Sequence, residues 1–306
     1  MVITFFALPK AFQGRFEVIQ RNAITSWTRV SPRPEIILFG NEDGTAEIAR
    51  QFGLRHGPEV RRSEYGTPLV NDLFEKAQDL ATCSTLCYVN ADILVLSDFM
   101  KAVEQVASWR DRFLMAGRKT NLDLDQPLVF ESPDWETRLR VLVAKQGVLG
   151  MPFEIDYFVF TRGLYRSIPD FAIGRTRWDN WLIGSARASK APVVDATAAV
   201  TVIHQNHDYS HRPEGKAWIK FGEEAKRNRK IAGSRGRSLN YATHKLTPQG
   251  IKWNAGQLYA PVKRFIRRWW VTLVQAMLPT CHRLGIRKER VARLANRVFG
   301  TSVKWN

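Results

Sequence analysis

Over the first 120 residues, short apolar runs alternate with longer stretches whose apolar positions recur every three or four residues. The runs VITFFAL, PEIILFG, STLCYVN and RFLMAGR read as buried strands. Between them, FEVIQRNAITSW carries Phe16, Ile19, Ile24 and Trp27 at helical spacing. A second helix is expected over AEIARQFGL, opened by Asp43 or Thr45 and closed by Gly53, and a third over TPLVNDLFEKAQDLA. Repeated strand–helix units predict an α/β fold: a mostly parallel, Rossmann-like sheet flanked by helices. In such sheets the ligand crevice opens beyond the carboxyl ends of the strands. Pro9, the stretch from Asn41 to Asp43, and the stretch from Asn90 to Asp92 fall at those ends.

Beyond residue 110 the alternation is less regular. Helices are expected over WETRLRVLVAKQG and RWDNWLIGSARA, a strand over FEIDYFVFTRG, and two β-rich pieces within VVDATAAVTVIHQNH. The Gly/Ser/Arg-rich stretch IAGSRGRSLN reads as a linker. This divides the chain into a domain over 1–231, a linker over 232–260 and a basic amphipathic helical tail over 261–306. No run of 18 apolar residues is present, and the start MVITFFALPK lacks the basic segment and cleavage site of a signal peptide. Cys83, Cys87 and Cys281 are too few and too scattered for a disulfide framework, which points to a reducing, cytoplasmic setting.

Charge changes the picture of the tail. Residues 211–306 hold 22 of the 46 Lys and Arg but 4 of the 29 Asp and Glu, so the remainder is close to neutral. In VKRFIRRWWVTLVQAML, Phe265, Ile266, Trp269, Trp270, Leu273, Val274, Met277 and Leu278 form a helical stripe, with Lys263, Arg264, Arg267 and Arg268 between them. That pattern suits an anionic membrane surface, placing the chain at the inner face of the cell membrane; packing of the stripe on the domain is the structural alternative. The body has no basic stripe, which disfavours nucleic acid as partner.

Three clusters could carry chemistry. Asn90-Ala91-Asp92 places two oxygen-bearing side chains on a tight connection after a strand, where Mg²⁺ or Mn²⁺ would find hard ligands; it could equally be a turn. His204, His207 and His211 bring half of the six histidines into one short stretch, able to offer nitrogen ligands or to remain a solvated loop. In FAIGRTRWDNWLIGSAR, Asp179 between Trp178 and Trp181 is either a general base or a helix cap, and the tryptophans either a platform for a sugar face or core residues. Asn180 lies in the same cluster. Asp156 interrupts an apolar strand and needs a partner, a ligand or an edge position. Arg118 ends a strand and could pair with a diphosphate or with solvent.

In this order the clusters resemble GT-A-type glycosyltransferases, and more closely an uncharacterised bacterial group related to glycosyltransferase family 2. The stretches YVNADILVLSDF, MAGRKTNLDL, IDYFVFTRGLYRSIPDFAIGRTRWDNWLI and VTVIHQNHDYSH carry the resemblance. It implies transfer of a sugar from a nucleotide-sugar donor to a hydroxyl acceptor, in cell-surface glycan or lipid-linked oligosaccharide assembly, with a divalent metal (Mn²⁺ or Mg²⁺). The family's Asp-x-Asp motif falls on Asn90-Ala91-Asp92, so Asp92 would be the principal metal ligand, joined by His204 or His207. The resemblance puts Asp43 at the nucleotide base and Asp179 at the catalytic base, which implies inversion. Pro9, Asn90, Asp92 and Arg118 fall to the donor side; Asp156, Trp178, Asn180 and Trp181 fall to the acceptor side. The rival readings are a sugar-phosphate nucleotidyltransferase, for which ALPKAFQGRF offers only a thin phosphate loop, and a non-enzymatic nucleic-acid binder working through the tail.

Overall fold

The computed structural model describes residues 3–207 and 219–262, with 265, 266 and 269. It divides into two compact units, Met1–Asn254 and Ala255–Asn306.

The first unit is an α/β structure. Its strands are β1 (Thr4–Ala7), β2 (Glu35–Phe39), β3 (Arg55–Gly57), β4 (Thr85–Val89), β5 (Ile93–Val95), β6 (Leu114–Ala116), β7 (Thr120–Leu122), β8 (Val148–Leu149), β9 (Tyr157–Thr161), β10 (Val193–Asp195), β11 (Val202–Gln205), β12 (His244–Thr247) and β13 (Gly250–Trp253). Its helices are α1 (Arg15–Arg29), α2 (Thr45–Phe52), α3 (Val70–Leu80), α4 (Asp98–Trp109), α5 (Trp135–Gln146), α6 (Trp178–Ala188) and α7 (Glu223–Ala232). Nine strands form the main sheet in the order β13-β12-β10-β6-β9-β4-β1-β2-β3. Pairing is parallel except where β9 meets β4 and β6, and within the β12–β13 hairpin. The Rossmann-like, mostly parallel sheet expected from the pattern is therefore present.

Strand pleating explains the apolar runs. Phe5, Ala7, Ile36, Leu38, Cys87 and Val89 face one core with Ile24 and Trp27 of α1, Ile48 of α2 and Phe99 of α4. Phe6, Ile37, Phe39, Leu86 and Tyr88 face the other core with Leu73 and Phe74 of α3 and Trp181 and Leu182 of α6. A strand covered on both faces has no reason to alternate apolar with polar. Gly53 closes α2 in the left-handed region at φ 63°, as its sequence position suggests.

Two features position the site. The antiparallel β9 runs against its neighbours, so its start, not its end, lies at the carboxyl edge of the parallel strands. A second sheet, β5-β11-β7-β8, crosses near that edge. It pairs β5 with β11 antiparallel, setting His204 opposite Ile93. The Trp27 indole N–H donates to the Ile93 carbonyl at 2.8 Å, tying α1 to this second sheet.

The stretch 232–260 is not the open linker its composition predicts. The Gly/Ser/Arg-rich part spans only the end of α7 and a turn, after which β12 joins the main sheet beside β10 with Leu246 in the core. The hairpin lies at the sheet edge and buries one strand residue, so it leaves almost no hydrophobic pattern. The first unit consequently runs to Asn254 rather than to 231. In the tail, residues 256–262, 265, 266 and 269 are helical; the remainder of the expected amphipathic helix, like His211, lies outside the described residues. Among the described residues, no helix is long and apolar enough to cross a membrane.

Candidate functional site

At the carboxyl edge, the chain leaves β4 through Asn90, Ala91 and Asp92 and turns straight into β5; the Ile93 N–H donates to the Asn90 carbonyl at 3.1 Å. This tight turn is what the sequence pattern suggested. The β5–β11 pairing then brings the histidines in. His207 Nε2 lies 3.1 Å from Asp92 Oδ2, and His204 Nε2 lies 3.6 Å from the same oxygen. Buried Gln205 fixes the arrangement from behind: its side-chain amide donates to the Ile19 and Asp92 carbonyls, at 2.7 and 3.2 Å, and accepts from Asn22 at 3.0 Å.

Burial alone would push the Asp92 carboxyl up. The charges and hydrogen bonds of His204 and His207 outweigh burial and hold it well below the usual carboxylate range. Burial would likewise lower the His204 imidazole, but Asp92 outweighs it and raises the ring's pKa. Ligand atoms of Asp92, His204 and His207 all lie within 4.8 Å of one another. Two ligands each about 2.1 Å from one ion lie at most about 4.2 Å apart, so a shift of a few tenths of an ångström would close the cage. Asp92 Oδ1 and His204 Nδ1 are buried and, among the described residues, make no hydrogen bond. A buried carboxylate oxygen left without a donor is the signature expected of a ligand position. The residues therefore fit a divalent cation, with the nitrogen-rich set favouring Mn²⁺ over Mg²⁺.

Asn90 contributes differently. Its side-chain oxygen accepts from the Tyr88 hydroxyl at 2.7 Å, and its backbone N–H donates to the Asp156 carbonyl at 2.9 Å. Asp156 sits just before β9, brought to this edge by the reversed strand direction. It satisfies two of the conditions a carboxylate there requires: an edge position and a partner. Lys119 Nζ lies 2.6 Å from Asp156 Oδ2, with both side chains about one-seventh exposed. Burial would lower the Lys119 ammonium, but Asp156 first and then Asp92 raise it.

Asp179 stands in the first turn of α6. The helix is capped by Arg177, held in the left-handed region at φ 91°, and no side chain caps it. Asp179 is therefore not the N-cap; its Oδ1 accepts from the Asn180 N–H at 2.7 Å. Desolvation pushes its carboxyl up to about 7, with the Asp156 charge adding to the rise against the Asn180 hydrogen bond and Arg177. A carboxyl tuned near neutrality at a sheet edge is the arrangement a general base requires.

The other expected residues are dispersed. Pro9 is buried directly after β1, and Asp43 is exposed after β2, where its carboxylate accepts from Gln13 at 3.2 Å. Both lie at the carboxyl edge, on the β1–β2 side. Arg118 follows β6 but donates through Nε to the Gly150 carbonyl at 2.5 Å. Asn180 donates to the Phe153 carbonyl at 3.4 Å. The tryptophans depart from the platform expectation: Trp178 is 6% and Trp181 2% exposed. Trp178 packs on Tyr88 and Phe158, and Trp181 on Phe171. Three-residue spacing on an amphipathic helix points both into the core, so neither offers a face to a sugar. Lys119, Tyr88 and Gln205 are the participants that sequence reasoning passed over. The signal for Lys119 was its place beside Arg118, three residues beyond the end of β6.

No protein-family model matches the chain, and no curated protein matches its sequence. Solved structures with a similar arrangement include S. aureus TarS residues 1–349, at 10% identity and TM-score 0.42, covering 67% of this chain and 58% of that one. The same TarS fragment in complex with UDP-GlcNAc matches at 10% identity and TM-score 0.44, covering 68% and 60%. M. tuberculosis glucosyl-3-phosphoglycerate synthase in complex with Mn²⁺, UDP and glucosyl-3-phosphoglycerate matches at 14% identity and TM-score 0.47, covering 77% and 80%. This chain thus spans less than two thirds of the TarS fragments' length.

Proposed function

We propose that the chain is a nucleotide-sugar-dependent glycosyltransferase that moves a sugar onto an acceptor hydroxyl. One observation carries the reading: a partly buried carboxylate tuned to about 7, Asp179, shares a sheet edge with the convergent Asp92, His204 and His207. A base poised near neutrality beside a cation cage is what displacement of a diphosphate by a hydroxyl needs. The motifs that resemble the GT-A group fall on these same residues.

In the reaction, the Asp179 carboxylate takes the proton of the acceptor hydroxyl. The hydroxyl oxygen forms a bond to the anomeric carbon as the bond from that carbon to the diphosphate oxygen breaks, and the electron pair leaves on the diphosphate. Attack opposite the leaving group inverts the anomeric centre, through an oxocarbenium-like transition state. Asp92, His204 and His207 would hold a divalent cation, which when bound neutralises charge growing on the departing group. Asn90 and Asp156, linked through the backbone, shape the floor between donor and acceptor. Pro9 and Asp43 border the nucleoside side, Arg118 the diphosphate side and Asn180 the acceptor side. The two tryptophans support α6 from the core instead of touching sugar. The tail serves to hold the enzyme at an anionic membrane surface, where a lipid-linked or cell-surface glycan acceptor would be presented from the cytoplasmic face.

The test is incubation of the full chain with a panel of nucleotide sugars, scored for Mn²⁺-dependent release of nucleoside diphosphate. Release from one nucleotide class, abolished by EDTA and by Asp179→Asn, is the expected result. A panel with no release above background in the presence of acceptor extracts would remove the reading.

A further inference from the structure

We propose that Lys119 is a cation of the protein's own for the donor diphosphate, sharing the charge that the divalent ion would otherwise carry alone. This rests on the glycosyltransferase reading above. The cation cage has a deficit of carboxylates. Where the Asp-x-Asp pattern would supply two carboxylates, this chain has Asn90, whose side-chain oxygen is already engaged by the Tyr88 hydroxyl at 2.7 Å. Among the described residues, Asp92 is then the one carboxylate of the cation cage. A site with one carboxylate and two imidazoles holds a hard divalent ion less tightly than one with two carboxylates.

The same edge carries a fixed positive charge to offset this. Lys119 lies between Gly117, which follows β6, and β7. Its backbone carbonyl accepts from the Gly150 N–H at 2.8 Å, so its root is anchored. Its ammonium lies 2.6 Å from Asp156 and interacts electrostatically with Asp92. An ammonium has three N–H donors. Asp156 is the sole ion-pair partner of Lys119 among the described residues, so the ammonium has donors left for an anion. Arg118, the adjacent cation, donates its Nε–H to the Gly150 carbonyl. Gly117 lets the backbone pass close to Tyr157: a Cβ there would collide with the Tyr157 hydroxyl and approach the Thr197 nitrogen to 3.3 Å. The alternative is that Lys119 does no more than neutralise Asp156.

The experiment separates these by removing the pair as a unit. K119M/D156N leaves net charge unchanged and strands no buried carboxylate; K119Q/D156N, an amide pair able to hydrogen-bond, serves if the Met version fails to fold. Binding of UDP, GDP, ADP, CDP and dTDP to the full chain is measured by calorimetry, with Mn²⁺ and with EDTA. The wild type should bind one nucleoside diphosphate with Mn²⁺ and retain weaker binding in EDTA. The double variant should lose about 10–100-fold in both conditions, the worth of a charge-assisted hydrogen bond. D156N alone should bind the nucleoside diphosphate more tightly than the wild type, because Lys119 is released from its partner. Wild-type affinity in the double variant overturns the inference and leaves the glycosyltransferase reading standing. A loss in D156N equal to that of the double variant also overturns it, since the effect then tracks Asp156. No binding by the wild type to any of the five, with Mn²⁺ present, overturns both.

Discussion

Replacing Asp179 with Asn should make the protein less active and, at alkaline pH, more stable. In the folded chain the Asp179 carboxyl is pushed from its ordinary 3.8 up to about 7, chiefly by desolvation. The folded state therefore holds this proton more tightly than the unfolded chain. Its contribution to stability is fully present below about pH 4 and is withdrawn as pH rises through 7. A shift of about three units is worth about 4 kcal/mol as a ceiling. Because the side chain is only partly buried and can recruit water, about 2 kcal/mol is the realistic expectation. Asn is neutral throughout and keeps the oxygen that accepts from the Asn180 N–H. Urea unfolding of both proteins at pH 4 and at pH 8 should show near-equal stability at the first and an advantage for the variant at the second. Turnover should fall about 10²–10⁴-fold, the usual cost of losing a general base. A variant that is less stable by the same amount at both pH values, with unchanged specific activity, would show that Asp179 serves only the start of α6.

Asp92→Asn should leave folding intact and cut turnover about 10²–10³-fold, as loss of charge stabilisation does; its companion Asn90→Asp should keep activity and sharpen Mn²⁺ dependence, checked by metal titration of initial rates. Glu224 is 1% exposed, pairs with Arg175 at 2.7 Å and accepts from Ser63 and Thr67; Glu224→Ala should cost about 3–5 kcal/mol by stranding the guanidinium, measured by denaturant unfolding. For the tail, the full chain should co-sediment with anionic vesicles and a chain truncated after Asn254, where the first unit ends, should not, each basic residue near the surface contributing about 1 kcal/mol; equal binding by both, or none by either, would refute the membrane role.

The strands and helices were legible because their periods are local. The carboxyl-edge location of Pro9, Asp43 and Asp92 followed from the repeated strand–helix order alone. What the sequence concealed is direction and partnership. A strand covered on both faces reads the same whether it runs parallel or antiparallel, so nothing in FEIDYFVFTRG showed that β9 is reversed. That reversal turns Asp156 from a costly carboxylate in an apolar strand into an edge residue paired with Lys119. The same limit applies to the cation cage. Asp92 and His207 are 115 positions apart, and each cluster was visible by its composition. Their convergence depends on one antiparallel pairing, β5 with β11, in a second sheet that the main alternation did not announce. Trp178 and Trp181 fail as a platform for the converse reason: their three-residue spacing was a helical core signal, and proximity to Asp179 made it look like chemistry. The residues most exposed to misreading are thus those next to the catalytic candidates in sequence, whereas those next to them in space, such as Lys119, go unnoticed. Lys119 and Arg118 stand side by side, yet the backbone turns one toward Asp156 and Asp92 and the other toward the Gly150 carbonyl. Charge at a strand end identifies the edge; only the strand that arrives from the opposite direction decides which of the two cations serves it.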